Sequence, residues 1–246
     1  MPYTKLKRRH IIRHQIHRLT SSEYARIFVL RTIGNFLLLS ALFLLAKTFY
    51  YPVREEVKYF IDKETNTKYV VGPAAPSVPT PAPKGFLAKT FHLSGTQVLT
   101  PVDPNFDIII PKIGANSRII PNVNAANEAD YLAALKKGVA HTAGTAFPGE
   151  GGHIYLFAHS TDYFWNVTAY NAVFYLLYKL KNGDEVDLFY KGQRYVYKVI
   201  GQAIVDPSEI QYMTRKTNRE FLTLQTCWPP GTTLKRLLVF AVRVSE

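Results

Sequence analysis

The pattern of apolar and polar positions divides the chain into stretches of different character. From Thr32 to Ala46 no charge occurs, and Ile33, Phe36, Leu37, Leu38, Leu39, Leu42, Phe43, Leu44 and Leu45 dominate. At about 1.5 Å per helical residue this run reaches roughly 22 Å, short of a ~30 Å hydrocarbon core. Lys47 is the sole charge between Arg31 and Arg54. Its stem can snorkel to the interface, and Phe49, Tyr50 and Tyr51 suit the same zone. A transmembrane helix is expected over residues 32–53. Val53–Val71 mixes charged and apolar positions with no clear period. Gly72–Gly85 then carries Pro73, Pro76, Pro79, Pro81 and Pro83 among Ala, Ser and Thr. Such a run has little to bury and favours extended polyproline II. Residues 54–100 are therefore expected to form a stalk, with a semi-rigid spacer at 72–85.

Beyond residue 100 short apolar or alternating runs recur between turn signals. Phe106–Ile110, Ser117–Ile120, Ile154–Ala158, Glu185–Tyr190, Gln193–Val205, Phe221–Thr226 and Leu237–Val244 read as strands. Only Glu128–Lys137 shows a helical period, with Tyr131, Leu132 and Leu135 apolar and Asn127 placed to cap it. One or two further helical turns are expected in Ala169–Lys179. Many short strands with few helices predict an all-β-dominated domain, closed or sandwiched, over residues 101–246.

Charge sharpens the reading of the N-terminal part. The chain carries +12, and residues 1–31 hold eight Lys or Arg against Glu23, which is +7 of that total. A basic tail suits nucleic acid or an anionic membrane surface; the apolar run behind it selects the lipid membrane and argues against nucleic acid. The positive-inside rule then places residues 1–31 in the cytoplasm and everything after residue 52 outside the cell. A cleaved signal peptide is the competing reading. The length of the basic region and the lack of a small-x-small cleavage site argue against it. The single cysteine excludes an internal disulfide. Cys and His show no metal-site spacing. Asp103, Asp107, Glu128, Asp130 and Glu150 are too dispersed to mark a calcium site, so no cofactor is expected and calcium dependence is not legible.

The candidate chemistry centres on that cysteine. Phe221–Thr226 leads into Cys227, and Trp228-Pro229-Pro230-Gly231 follows. A strand that stops at the thiol is expected, because proline cannot continue a ladder. A lone cysteine is commonly a small buried hydrophobe; as a nucleophile it needs a partner to set its ionisation and protonate a leaving group. Histidine has a pKa suited to that task. His92, His141, His153 and His159 are available. His92 lies close to the stalk, and His141 is read in a loop, Gly138–His141. His159 ends an apolar run, and its spacing of six from His153 puts both on one face of a regular strand. Arg236 begins the run after the Pro-Pro-Gly turn, where a guanidinium would neighbour the thiol and serve a developing oxyanion. Taken alone it is an ordinary exposed strand charge. Lys235 should point the other way.

The run Thr223-Leu224-Gln225-Thr226-Cys227 followed by Arg236 resembles the T-L-x-T-C…R signature of sortases, membrane-anchored cysteine transpeptidases. Gly138-Val139-Ala140-His141, Gly144-Thr145-Ala146, Pro148-Gly149-Glu150 and His159 resemble the segment leading to their catalytic histidine. Ile110-Pro111-Lys112-Ile113-Gly114 resembles their first barrel strand. The likeness covers residues 106–243. Many relatives have Gly where Ala158 stands and Asn where His153 stands. Asp103-Pro104-Asn105-Phe106 resembles the Asp-Pro-aromatic lid of pilin-polymerising members but runs straight into a strand, which favours a single-substrate anchoring role.

The resemblance implies an eight-stranded β-barrel. It also implies a housekeeping or class D/E-like member with Cys227 as nucleophile, His159 as acid and base, and Arg236 as orienting cation. Thr226 and His141 are carried over as substrate-binding residues. The implied partners are secreted proteins bearing a C-terminal sorting signal and an amine acceptor, on a peptidoglycan precursor or a protein. Two other readings stay open on the residues alone: another envelope cysteine transpeptidase of L,D-transpeptidase type, and a membrane-tethered binding module with an inert thiol.

Overall fold

In the computed structural model the described residues are 20–73, 96–160 and 172–244. The basic tail before residue 20, most of the Pro-rich spacer, His92, and the start of the helical turns expected in Ala169–Lys179 lie outside them. The chain divides into two compact units, Met1–Lys47 and Thr48–Glu246.

Helix α1 runs Ser21–Glu64, with Pro52 inside it. It starts where Thr20 exchanges hydrogen bonds with Glu23: Thr20 N and Oγ1 donate to the carboxylate, and Glu23 N donates back to Thr20 Oγ1. That reciprocal arrangement is a capping box. Ser21–Tyr50 is long and apolar enough to cross a bilayer, with a mean hydropathy of 2.0, as a membrane anchor or a signal sequence would be. Its large apolar side chains are exposed in the first unit, Phe28, Phe36 and Phe43 each about 70 %.

The second unit departs from the expected stalk. Residues 48–64 continue the helix, because Val57, Phe60 and Ile61 recur at helical spacing among the charges. Two short strands follow, β1 (Lys68–Val71) and β2 (Thr96–Leu99), paired in parallel with Lys68 opposite Thr96. The residues bracketing the spacer are thus tied to each other.

The remaining strands are β3 (Phe106–Ile110), β4 (Ala115–Val123), β5 (Val139–Thr142), β6 (His153–Phe157), β7 (Glu185–Tyr190), β8 (Gln193–Val205), β9 (Phe221–Trp228) and β10 (Lys235–Arg243). They close into an eight-stranded barrel in the order β10-β8-β7-β3-β4-β5-β6-β9. Two pairs, β4–β5 and β6–β9, are parallel and the rest antiparallel. A parallel pair needs a crossover. Helix α2 (Glu128–Leu135) supplies the first, capped by Asn127, whose side chain accepts from Asp130 N.

The interior is filled largely by alternate residues of five strands: Ile108 and Ile110, Ile154 and Leu156, Val186 and Leu188, Leu222 and Leu224, Leu237 and Val239. The strand runs read from sequence are present. One reading is corrected: Gly138–His141, expected as a loop, contains the strand β5. Its entry is tight, since a Cβ on Gly138 would stand 2.4 Å from the Arg118 carbonyl oxygen. Strand β9 also runs one residue past the thiol, with Trp228 still opposite Lys235.

Candidate active site

Two register facts build the site. In the antiparallel pair β9–β10, Cys227 stands directly opposite Arg236. In the parallel pair β6–β9, Phe157 stands opposite Gln225. The pairing persists past the end of β6, because Ala158 N donates to the Gln225 carbonyl at 3.1 Å. Two residues beyond the Phe157–Gln225 pair stand His159 and Cys227. Neighbouring strands lie about 4.8 Å apart, so residue 227 has residue 236 beside it on one side and the end of β6, leading to His159, on the other.

His159, Thr226, Cys227 and Arg236 all line one groove of about 710 Å³. Its far wall is α2, through Glu128, Tyr131, Leu132 and Leu135, and Pro207, Ile210, Met213 and Leu234 complete it. Ile210 and Leu234 are more than 60 % exposed, an apolar edge suited to holding an extended chain with apolar side chains. These walls were not singled out as functional in the sequence. The only signal was the apolar stripe of α2, which reads equally as core packing.

The thiol is free and half-buried. Burial pushes its pKa above the ordinary value, and the charge of Arg236 pulls it part of the way back. Arg236 Nη1 donates to the carbonyls of Thr233 and Lys235, at 3.0 and 3.1 Å, which holds the guanidinium over the β9–β10 turn. Lys235 points away, as alternation requires, and pairs with Asp206 at 2.6 Å. Thr226 is buried, and its hydroxyl donates to the Ala158 carbonyl at 3.0 Å. Tyr155, on the same face of β6 as Phe157, donates from its hydroxyl to Gln225 Oε1 at 2.5 Å. The floor between thiol and imidazole is thus cross-linked.

The other described histidines are elsewhere. His141 is fully buried on β5, its Nδ1 accepting from Asn122 N and its Nε2 facing Thr145 Oγ1 and the Ala146 carbonyl. It is not among the groove-lining residues: the strand that replaces the expected loop packs its ring against Phe106 and Phe147. His153 is also buried, bonded to Thr223, and burial lowers its pKa to about 4. It stays neutral and is not among the residues lining the groove of His159, which sits beyond the end of β6.

A family model described as the sortase domain matches residues 108–244. Among curated proteins, Sortase D of Bacillus subtilis (strain 168) is 29 % identical over 139 residues, covering 55 % of this chain and 62 % of the relative. The match thus spans less than two thirds of that relative's length. Among solved structures, sortase C-1 from Actinomyces oris is 31 % identical, covering 59 % of this chain and 76 % of the other, with a TM-score of 0.49. Sortase A from Corynebacterium diphtheriae is 28 % identical, covering 58 % and 61 %, with a TM-score of 0.48.

Proposed function

The chain belongs to the sortase family, and from that premise we propose that it is a cysteine transpeptidase acting on secreted proteins with a C-terminal sorting signal. The observation that supports this reading is that Cys227, its strand partner Arg236 and His159, just past the end of the neighbouring β6, line one groove.

In the proposed reaction an extended sorting signal lies along the groove. The Cys227 sulfur, as thiolate, attacks the scissile carbonyl carbon, forming a C–S bond. Arg236 stabilises the negative charge on the tetrahedral oxygen. The C–N bond breaks as His159, as imidazolium, gives its proton to the departing amine. The thioacyl-enzyme then meets an acceptor amine. His159 takes the proton of the attacking nitrogen, a new amide forms, and the thiolate leaves. Because burial disfavours the thiolate, the positive charges beside the sulfur are needed to form it. Thr226 serves substrate binding through its backbone in this scheme, since its hydroxyl is engaged with Ala158. His141, buried away from the groove, takes no part. The acceptor is an amine on a peptidoglycan precursor or a neighbouring protein. The apolar helix anchors the enzyme with residues 1–31 inside and the barrel outside the cell.

The test is a cleavage and transfer assay with fluorogenic sorting-signal peptides, with and without an added amine. Wild type should release the leaving peptide and form the amine adduct. Cys227→Ala should do neither, and His159→Ala and Arg236→Ala should lose about 10²-fold or more. Full activity in Cys227→Ala would end the proposal.

A further inference from the structure

Trp228 follows the nucleophile and, by strand alternation, faces the opposite side of β9 from it. Its ring packs against the barrel core. On it lies Tyr178, ring centroids 5.4 Å apart and planes inclined by 54°. Tyr178 belongs to the one-turn helix Leu177–Lys179, seated by the fully buried Leu177. At its other end the Tyr178 hydroxyl donates to Glu56 Oε1, on the segment of α1 beyond residue 47. Lys179 completes the cluster. Its Nζ is 3.1 Å from Glu56 Oε2, 4.7 Å from the Tyr178 ring centroid and 5.2 Å from that of Tyr59.

We infer that Tyr178, fixed by Glu56, is a positioning residue that braces Trp228 and so sets where β9 presents Cys227, a role that rests on the transpeptidase reading above. The physical reason lies in what restrains that strand end. On one side Trp228 is held by its pairing with Lys235, and beyond it the chain leaves the ladder at Pro229 and Pro230. Tyr178 adds a ring contact to the packing of Trp228 against the core. An aromatic ring with its hydroxyl bonded at one end and its face against an indole has little freedom to tilt, and each contact adds specific geometry beyond area burial. A shift of the Trp228 ring is passed through one peptide to the sulfur, and a nucleophile misplaced by about 1 Å loses up to ~10²-fold in rate. The membrane-proximal end of α1 is in this way part of the catalytic apparatus rather than a passive tether.

The experiment uses the full chain in detergent micelles and compares wild type with Tyr178→Phe, Tyr178→Ala and Glu56→Gln. Three quantities are read: kcat and KM on a sorting-signal peptide with an amine acceptor, the rate of Cys227 alkylation by iodoacetamide, and the folded fraction by thermal unfolding. The expected result for Tyr178→Ala, after correction for folded fraction, is a kcat about tenfold lower with KM within about twofold. Tyr178→Phe and Glu56→Gln, which keep the ring on Trp228, should lose a smaller part, and alkylation should fall in the same order. Equal kcat in Tyr178→Ala and wild type, or a loss that the unfolded fraction accounts for, overturns the inference. Wild type inactive on every sorting peptide would instead overturn the functional reading. The alkylation series would then decide the positioning role by itself.

Discussion

Thr226 Oγ1 donates a 3.0 Å hydrogen bond to the carbonyl of Ala158. One of these residues precedes the sulfur and the other precedes the imidazole. With the reciprocal 3.1 Å bond from Ala158 N to Gln225 O, it staples the two chain segments that carry Cys227 and His159. Removing the hydroxyl should therefore act on both stability and rate. Thr226→Val leaves a buried carbonyl unpaired and is expected to lower stability by about 1–3 kcal/mol. It should also lower kcat in the folded enzyme, while Thr226→Ser restores most of both. Thermal melts and peptide kinetics on the two variants check this.

Arg236 offsets part of the burial that raises the Cys227 pKa. With Arg236→Gln the thiol pKa should rise further. At any pH below that pKa a smaller fraction is thiolate, so alkylation by iodoacetamide should slow, and its pH–rate curve should shift to higher pH. A curve for Arg236→Gln superimposed on that of wild type would show that the guanidinium does not act on the sulfur.

Asp107 is fully buried on β3, and burial raises its pKa from 3.8 to about 7, against the opposing pull of the Asp103 and Val102 N–H groups. The folded state binds the proton more tightly than the unfolded chain. Its stabilising contribution is complete below 3.8 and is lost as pH rises through about 7. The stability of wild type relative to Asp107→Asn should fall across that window and level off above it. Urea midpoints for both proteins between those limits measure the slope.

Gly138 admits no side chain at the entry to β5, where a Cβ would stand 2.4 Å from a backbone oxygen of β4. Gly138→Ala must push the two strands apart and is expected to cost a few kcal/mol of stability. Chemical denaturation checks this, with Gly201→Ala on β8 as the control, since its backbone is not in the left-handed region and its Cβ would meet nothing within 4 Å.

Much of the barrel was legible because its strands carry their own signal. Phe106–Ile110, Gln193–Val205 and Phe221–Thr226 are apolar or alternating over enough residues to separate a two-residue period from a helical one. Strand β5 was not legible. It has only four residues, and His141 and Thr142 end its apolar run after two. The helical continuation past residue 47 was masked by charges, because Glu55, Glu56, Lys58, Asp62 and Lys63 interrupt the apolar positions. The pairing of β1 with β2 joins residues separated by the whole spacer, and nothing local to Lys68–Val71 specifies it.

The amino-acid order alone determined the apolar helix, the run of strands, the lone thiol and the cation placed after a Pro-Pro-Gly turn, since each depends on neighbours a few residues away. The choice among the three described histidines 141, 153 and 159, and the groove itself, belong to the tertiary structure. The parallel register of β6 on β9 brings residue 159 beside residue 227 and leaves 141 and 153 in the packed interior. That register is decided by which faces bury when the barrel closes, a property of all eight strands together.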